Sequence, residues 1–165
     1  MSDFEIKLTD NSGEILKELQ DKIPTVLEAW GLQGERNAKK YCTVDTGRLR
    51  NSITHAVSGK GSKTYTYSEQ YQKGSGKDGE KRKSLSKKQR EATQTTETIP
   101  AIPASENAVY IGTNVSYAVP VETGHVLPSG KHVSPKPFLK PAIENHTNEY
   151  KAIAKRYLSK YNKNH

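Results

Sequence analysis

A helical repeat of apolar positions dominates the first third of the chain. Apolar or small residues recur at offsets of 4, 7, 11, 15 and 18, close to one face of a 3.6-residue period, at Ile23, Leu27, Trp30, Gly34, Ala38 and Tyr41. Pro24 is placed to open this helix, after a first helix that Asn11 and Glu14 would begin as a capping box. Gly31 and Gly34 indicate either the close approach of another backbone or a break in the helix.

Alternation of apolar and polar residues predicts strands in the middle of the chain. Residues 49–57 and 64–68 have strand character and could pair as an antiparallel hairpin. Residues 108–113 predict a strand in which Tyr110 lies on the opposite face from the aliphatic residues. A weaker alternation over residues 3–9 suits a short strand or an extended arm.

The C-terminal part combines turn signals with a long amphipathic helix. A short helical turn around Tyr117 is expected to end at Gly124, a glycine suited to a C-terminal cap, and residues 131–133 can form a short strand. Prolines interrupt the chain around Phe138, so the last helix is predicted to begin at Pro141, with an apolar face that reaches Tyr161. The pattern predicts an α+β fold, in which N-terminal helices and a long C-terminal helix cover one face of a small antiparallel sheet.

Length and composition predict a single domain with one long loop. The 165 residues fit a single domain over 1–165, but only 32% of them are hydrophobic and the mean hydropathy is −0.86. Residues 70–105 are rich in lysine, serine, threonine and glycine and have few apolar side chains. We therefore expect a mobile loop there.

Charge points to an acidic partner. The net charge is +8, and ten basic against four acidic residues lie between Gly59 and Glu91. The side chains of this stretch that we expect to contact DNA or a neighbouring protein are Lys73, Lys77, Lys81, Arg82, Lys83, Lys87, Lys88 and Arg90. A merely solvated surface is the competing interpretation.

The segment VDTGRLRNSI, residues 44–53, joins the helical part to the strands. Short polar side chains and a glycine at Asp45, Thr46 and Gly47 predict a tight turn. Arg48 and Arg50 follow on a predicted strand, so both guanidinium groups would project from one face and contact a partner. We expect Glu122 to pair with one of these two arginines.

Signals for catalysis and metal binding are weak throughout. The stretch GSGKDGEK lacks the hydroxyl residue of a phosphate-binding loop, and Glu122 and His125 form only half of a carboxylate and histidine metal site. No nucleophile lies in a recognisable elbow or beside a base. The sequence therefore predicts no enzyme, no cofactor and no metal; the single cysteine, Cys42, predicts a buried thiol, and no apolar run is long enough to span a membrane.

Three segments in order resemble one known family: VDTGRLRNSI at 44–53, VYIGTNVSYAVPVETGH at 109–125 and SPKPFLKPA at 134–142. They are similar to the gene-ten-like tail-component family of long-tailed double-stranded-DNA phages. The resemblance places the motif positions at Asp45, Thr46, Gly47, Arg48, Tyr117, Glu122, Gly124, Pro137, Phe138 and Pro141. The long lysine-rich insertion departs from the family pattern.

The resemblance implies a virion structural protein of the neck, made in the host bacterial cytoplasm, that acts in tail completion and head–tail joining. It implies a ring of identical subunits, expected to be hexameric, between head-completion proteins and tail-terminator or tube proteins. Genomic DNA in the channel is a further expected partner, and a membrane is not. The alternative is a DNA-binding accessory protein that uses the basic loop. A hydrolase is supported only by the phage context and by no motif.

Overall fold

The computed structural model describes residues 12–76 and 81–159. In chain order the elements are α1 (Ser12–Tyr41), α2 (Arg48–Ser52), β1 (Thr54–Val57), β2 (Lys63–Tyr67), α3 (Lys87–Ala92), β3 (Thr95–Ile99), a 3-10 turn (Ala104–Glu106), β4 (Val109–Gly112), α4 (Ala118–Thr123), β5 (His125–Val126), β6 (His132–Val133), α5 (Leu139–Glu144) and α6 (Thr147–Leu158). The described strands form three antiparallel pairs, β1–β4, β2–β3 and β5–β6. The α+β prediction is confirmed; the strand predicted over residues 3–9 and the cap at Asn11 lie outside the described residues.

The N-terminal helix is one rod, and the prediction of two helices separated at Pro24 was wrong. Helix α1 is continuous through Pro24. Proline has a backbone φ that suits a helix, so its position inside α1 costs a hydrogen bond and some crowding but does not require the chain to turn. The C-terminal part of α1 contacts β1, β4, α5 and α6, and this packing makes α1 the central element of the fold.

Two glycines let the strands approach α1 closely. This decides between the two interpretations of Gly31 and Gly34, close packing or a helix break. Gly31 faces the imidazole of His55 on β1, and Gly34 faces the side chain of Ile111 on β4. A methyl group at either position would overlap these side chains. Both glycines are buried within an unbroken helix, so close packing and not a helix break explains them.

Replacing Gly31 with alanine should destabilise the protein by up to about 2 kcal/mol. Alanine gains roughly 1 kcal/mol of helix propensity, but overpacking a filled site costs about 1–3 kcal/mol, and His55 is a buried ring with little room to move. Urea unfolding measures the effect. Gly13→Ala is the matched control, because a methyl group at Gly13, in the same helix, would meet no atom within 4 Å, and it should be neutral or stabilising.

The strand pairing differs from the predicted hairpin. Strand β1 is shorter than predicted and pairs with β4, with His55 opposite Ile111, while β2 pairs with β3, with Tyr65 opposite Glu97. The physical reason is the apolar face of β4, because Val109 and Ile111 pack against α1 as the alternation predicts. The threonine-rich β2 has no comparable aliphatic face.

Part of the predicted loop over 70–105 is regular structure, so the prediction was wrong for residues 87–92 and 95–99. It contains α3, which begins with a capping box between Ser86 and Gln89, and the strand β3. Hydroxyl groups pair across the strands, with Thr64 and Thr98 3.1 Å apart and Thr66 and Thr96 3.0 Å apart. Backbone pairing and β-branched threonines therefore order a segment with little apolar surface to bury.

The predicted C-terminal helix is divided in two. Helix α5 ends at Glu144 and α6 begins at Thr147, one residue after His146, whose backbone is not helical. The His146 ring lies 2.8 Å from Glu149 and 3.2 Å from the Tyr41 hydroxyl. Asn145 and His146 are weak helix formers, and these side-chain contacts hold the turn between the two helices.

One cluster of buried residues joins α1, α2, β2, α4 and α5. Its members are Ala38, Cys42, Leu49, Ile53, Tyr67, Val115, Ala118, Phe138 and Ala142. The predicted burial of Cys42 is confirmed. Burial raises the pKa of its thiol to about 11; the positive charge of Arg50 lowers this pKa, and the negative charge of Glu122 raises it by a smaller amount. This thiol is therefore protonated and unreactive near neutral pH.

Candidate functional site

The predicted turn at Asp45, Thr46 and Gly47 anchors the segment that follows β2. Gly47 has a φ of 83°, in the region that favours glycine. The Thr46 carbonyl accepts hydrogen bonds from the amides of Gln70 and Tyr71, at 2.7 and 2.9 Å, and the Asp45 carboxylate accepts one from the amide of Gly74 at 2.7 Å. The turn therefore positions residues 70–74.

Arg48 and Arg50 do not project from a strand, because both lie in α2. The Arg48 guanidinium donates to the Thr93 carbonyl at 3.4 Å and to the Thr95 hydroxyl at 3.0 Å, and lies 5.2 Å from the centre of the Tyr67 ring. Arg50 donates to the Gln70 side chain at 2.6 Å. The predicted strand was therefore wrong, and both side chains are half-buried and bind within their own subunit. Their contact with a partner stays a prediction.

Glu122 caps a helix and does not pair with an arginine. Its carboxylate accepts hydrogen bonds from the amides of Phe138, Leu139 and Lys140, at 2.7, 3.1 and 2.9 Å. These are free donors at the start of α5, where a negative charge is favourable. Burial opposes ionisation of Glu122, but the three donated hydrogen bonds outweigh it and lower the pKa of the carboxyl group.

Glu122→Gln should cost about 1.5–3 kcal/mol of stability at neutral pH, since it replaces charge-assisted hydrogen bonds with weaker ones. Because the folded-state pKa is lowered, this contribution is present above the ordinary pKa of 4.5 and is lost as the pH falls below it. Urea unfolding of both proteins at several pH values measures the difference. A gap that did not narrow below pH 4.5 would contradict the capping role.

The remaining motif positions shape the same region. Tyr117 is partly exposed at the start of α4, and Gly124 ends that helix with a φ of 77°, beside Val133 and Pro135, as predicted. Phe138 is completely buried, Pro137 is exposed and Pro141 is half-buried within α5. These positions build the core and its turns.

The predicted basic side chains lie on the surface. Lys77 is outside the described residues; the others, which we call the basic surface, are all exposed: Lys73, Lys81, Arg82, Lys83, Lys87, Lys88 and Arg90. Arg82 also donates to the Val44 carbonyl at 3.0 Å, so its side chain helps to hold the segment in place. An exposed set of this kind can bind phosphates or an acidic protein surface.

The half-site of Glu122 and His125 gains no further ligands. Glu122 is committed to the helix cap, and the part of the chain that the structure describes contains no group of three or more histidine, cysteine, aspartate or glutamate residues that could hold a metal ion. His146 lies half-buried between Tyr41 and Glu149, as described above.

Sequence reasoning missed a charged cluster around His55. The ring nitrogens of this buried histidine lie 2.7 Å from Glu35 and 3.3 Å from Glu28. Glu35 also binds Lys39, at 2.5 Å, and Glu28 binds Lys60, at 2.8 Å. The spacing of Glu28 and Glu35 places both on one face of α1, but only the pairing of β1 beside that face brings the histidine between them.

Sequence reasoning also missed an apolar groove between β4, α5 and α1. Among its lining residues are Trp30, Val109, Tyr110, Leu139, Ile143 and Tyr150, and its volume is about 470 Å³. We refer to it as the apolar groove. Its rim residues Tyr110 and Ile143 are exposed. The helical and strand periodicities place these residues on their elements but do not reveal that they surround one space.

None of the helices that the structure describes has the length and hydrophobicity needed to cross a membrane. Comparisons with protein-family models, curated proteins and solved structures returned no match to this chain.

Proposed function

We propose that this chain is a virion structural protein of a phage neck, which acts in tail completion and head–tail joining as a ring of identical subunits. The observation that carries the proposal is that the three motif segments pack together. Leu49 and Ile53 from the first, Ala118 from the second and Phe138 from the third belong to one buried cluster. Glu122 of the second segment also caps the helix that begins in the third.

This packing supports the resemblance, because motif residues that build one structural unit are expected to occur together in a sequence. The motif residues have structural roles, such as the Gly47 turn and the Glu122 cap, and none is assigned to catalysis. A protein that works by filling a place in an assembly needs a stable body and contact surfaces. The basic surface and the apolar groove supply two such surfaces.

The experiment that tests the proposal is electron microscopy of particles made when this gene is disrupted in the phage or prophage that encodes it. We expect separate filled heads and tails, which join when purified protein is added back. Buffer without the protein serves as the control. Intact virions from the disrupted gene would overturn the proposal.

A second candidate function is that of a DNA-binding accessory protein, and the exposure of the basic surface favours it. Binding through lysine and phosphate contacts would release counterions, so the affinity would fall steeply as salt increases. The structure identifies side chains that can be neutralised without loss of described hydrogen bonds: Lys81, Lys83 and Lys88.

Neutralising these three lysines to glutamine should weaken duplex DNA binding and lower the slope of log affinity against log salt by up to about 0.9 for each phosphate that a lysine no longer neutralises. Titration of a labelled duplex at several salt concentrations measures both quantities. The charge-matched control replaces Lys40, Lys131 and Lys151, which are exposed elsewhere. Equal slopes for the two triple variants would contradict a binding role for the basic surface.

A further inference from the structure

We propose that the N-terminal end of α1 binds the apolar groove of a second copy of this chain. The part of the helix concerned is the N-terminal stripe, defined as Ile15, Leu16 and Leu19. The inference deepens the ring proposed above and rests on it. It assigns the two different surfaces through which neighbouring subunits would meet.

The N-terminal stripe is an exposed apolar surface. Every residue from 12 to 21 is exposed, and Ile15, Leu16 and Leu19 expose 37%, 59% and 37% of their surface. These positions are spaced so that they share one face of the helix, and Ile23 continues that face toward the body of the protein. An apolar stripe along one face of a helix is typical of a face that packs against a partner.

Helix α1 extends beyond the elements that cover its C-terminal part. Tyr157, near the end of α6, lies beside Pro24, Thr25 and Leu32 of α1. The described part of α6 therefore ends alongside the middle of α1. The N-terminal stripe lies farther along the rod.

The apolar groove offers a complementary apolar surface. Its aromatic walls have their polar atoms satisfied within the subunit, because the Trp30 indole donates to the Tyr150 carbonyl at 2.8 Å and the Tyr150 hydroxyl donates to the Ala142 carbonyl at 3.0 Å. The surfaces that remain are apolar, and Ile143 at the rim is 44% exposed. A preformed apolar groove of this kind suits the apolar face of a helix.

A stripe that occupies an apolar groove must come from another copy, because of the geometry of α1. Trp30 lines the groove and lies on the same continuous helix as the stripe. At 1.5 Å per residue, Leu19 and Ile15 lie about 16 and 22 Å along the rod from Trp30, so the stripe cannot fold back into its own groove. Contact between two different patches of identical subunits is heterologous, and this is the type of contact that closes a ring.

Cross-linking between copies tests the inference directly. Leu16→Cys and Ile143→Cys are made in separately tagged proteins, mixed at high concentration and treated with a short bismaleimide. We expect a cross-linked dimer that carries both tags. The native Cys42 is buried and should not react, and a mixture of Leu16→Cys with Thr98→Cys, an exposed position on β3, is the matched control.

Either of two results would overturn the inference. One is a yield of doubly tagged dimer no higher than in the Thr98→Cys control. The other is cross-linking of a Leu16→Cys/Ile143→Cys double variant only within one chain, which would place the two sites together in a single subunit. Occupation of the groove by residues 1–11, or of the stripe by residues 160–165, would give the first result.

Sedimentation of surface variants supplies an independent measurement. Leu16→Gln with Leu19→Gln should weaken self-association by at least about tenfold, because two apolar side chains lose their burial. Lys17→Gln with Glu18→Gln changes the neighbouring polar positions of the same turn and should leave self-association unchanged. Equal association of the two double variants would overturn the inference.

The two proposals can fail separately. Cross-linking and sedimentation use the purified protein and report only on contact between copies. Joining of heads and tails reports on the neck function. A doubly tagged dimer together with normal virions from the disrupted gene would support the contact and reject the neck function. Joining of heads and tails after add-back, without a doubly tagged dimer, would support the neck function and reject the contact.

Discussion

Replacing Phe138 with alanine should lower the free energy of unfolding by about 3–5 kcal/mol, the largest effect that we expect from a single substitution. Phe138 has no exposed surface and lies in the cluster that joins α1, α2, α4 and α5. Its amide is held by Glu122 at 2.7 Å, so the backbone is not free to move inward and fill the cavity. Removal of the ring therefore loses both its burial and its packing contacts.

Urea unfolding followed by circular dichroism measures this loss. Val119→Ala is the matched control, because Val119 is 68% exposed on α4, beside the same region, and should change stability by about 0.5 kcal/mol or less. A loss below about 1 kcal/mol for Phe138→Ala would contradict its central place in the core.

Replacing Glu35 with glutamine should cost on the order of 3 kcal/mol at neutral pH. Burial of the Glu35 carboxyl raises its pKa, but hydrogen bonds and charge interactions with His55 and Lys39 outweigh this and lower the pKa from 4.5 to about 2. A shift of this size corresponds to roughly 3 kcal/mol of preference for the ionised form in the folded protein. The substitution also leaves the buried His55 with Glu28 as its remaining carboxylate partner.

The pH dependence of this effect has a definite sign. A carboxyl group with a lowered folded-state pKa contributes its full stabilisation above its unfolded pKa of 4.5, and this is lost progressively as the pH falls toward 2. The native protein should therefore lose stability in acid faster than Glu35→Gln. Unfolding curves between pH 7 and pH 3 measure the difference, with Glu144→Gln, an exposed carboxylate on α5, as the control. Parallel curves for native protein and Glu35→Gln would contradict the role of the cluster.

Local signals predicted many of the elements. The alternation of Val109, Tyr110 and Ile111 predicted β4 and its two faces, and a strand near residues 64–68 and a glycine cap at Gly124 were also correct. The turn at Gly47 followed from the need for a positive φ. Each of these depends on a few neighbouring residues, so the information is contained within the segment.

Predictions that needed a distant partner failed. Arg48 was assigned to an exposed strand face, although it lies in α2 and Thr93 and Thr95 bind its guanidinium from 45 and 47 residues away. Glu122 was given an arginine partner, although the amides of residues 138–140 donate to its carboxylate. A polar side chain can bind any of several partners, so the sequence does not determine which partner it binds in the folded protein.

The same division applies to the whole molecule. The sequence alone determined the fold class and the helical face of α1, because periodicity acts over a few residues. Only the tertiary structure decided that α1 runs through Pro24, that β1 pairs with β4 and that His55 enters between Glu28 and Glu35. These outcomes depend on which apolar faces can be buried together, and burial is a property of the assembled chain.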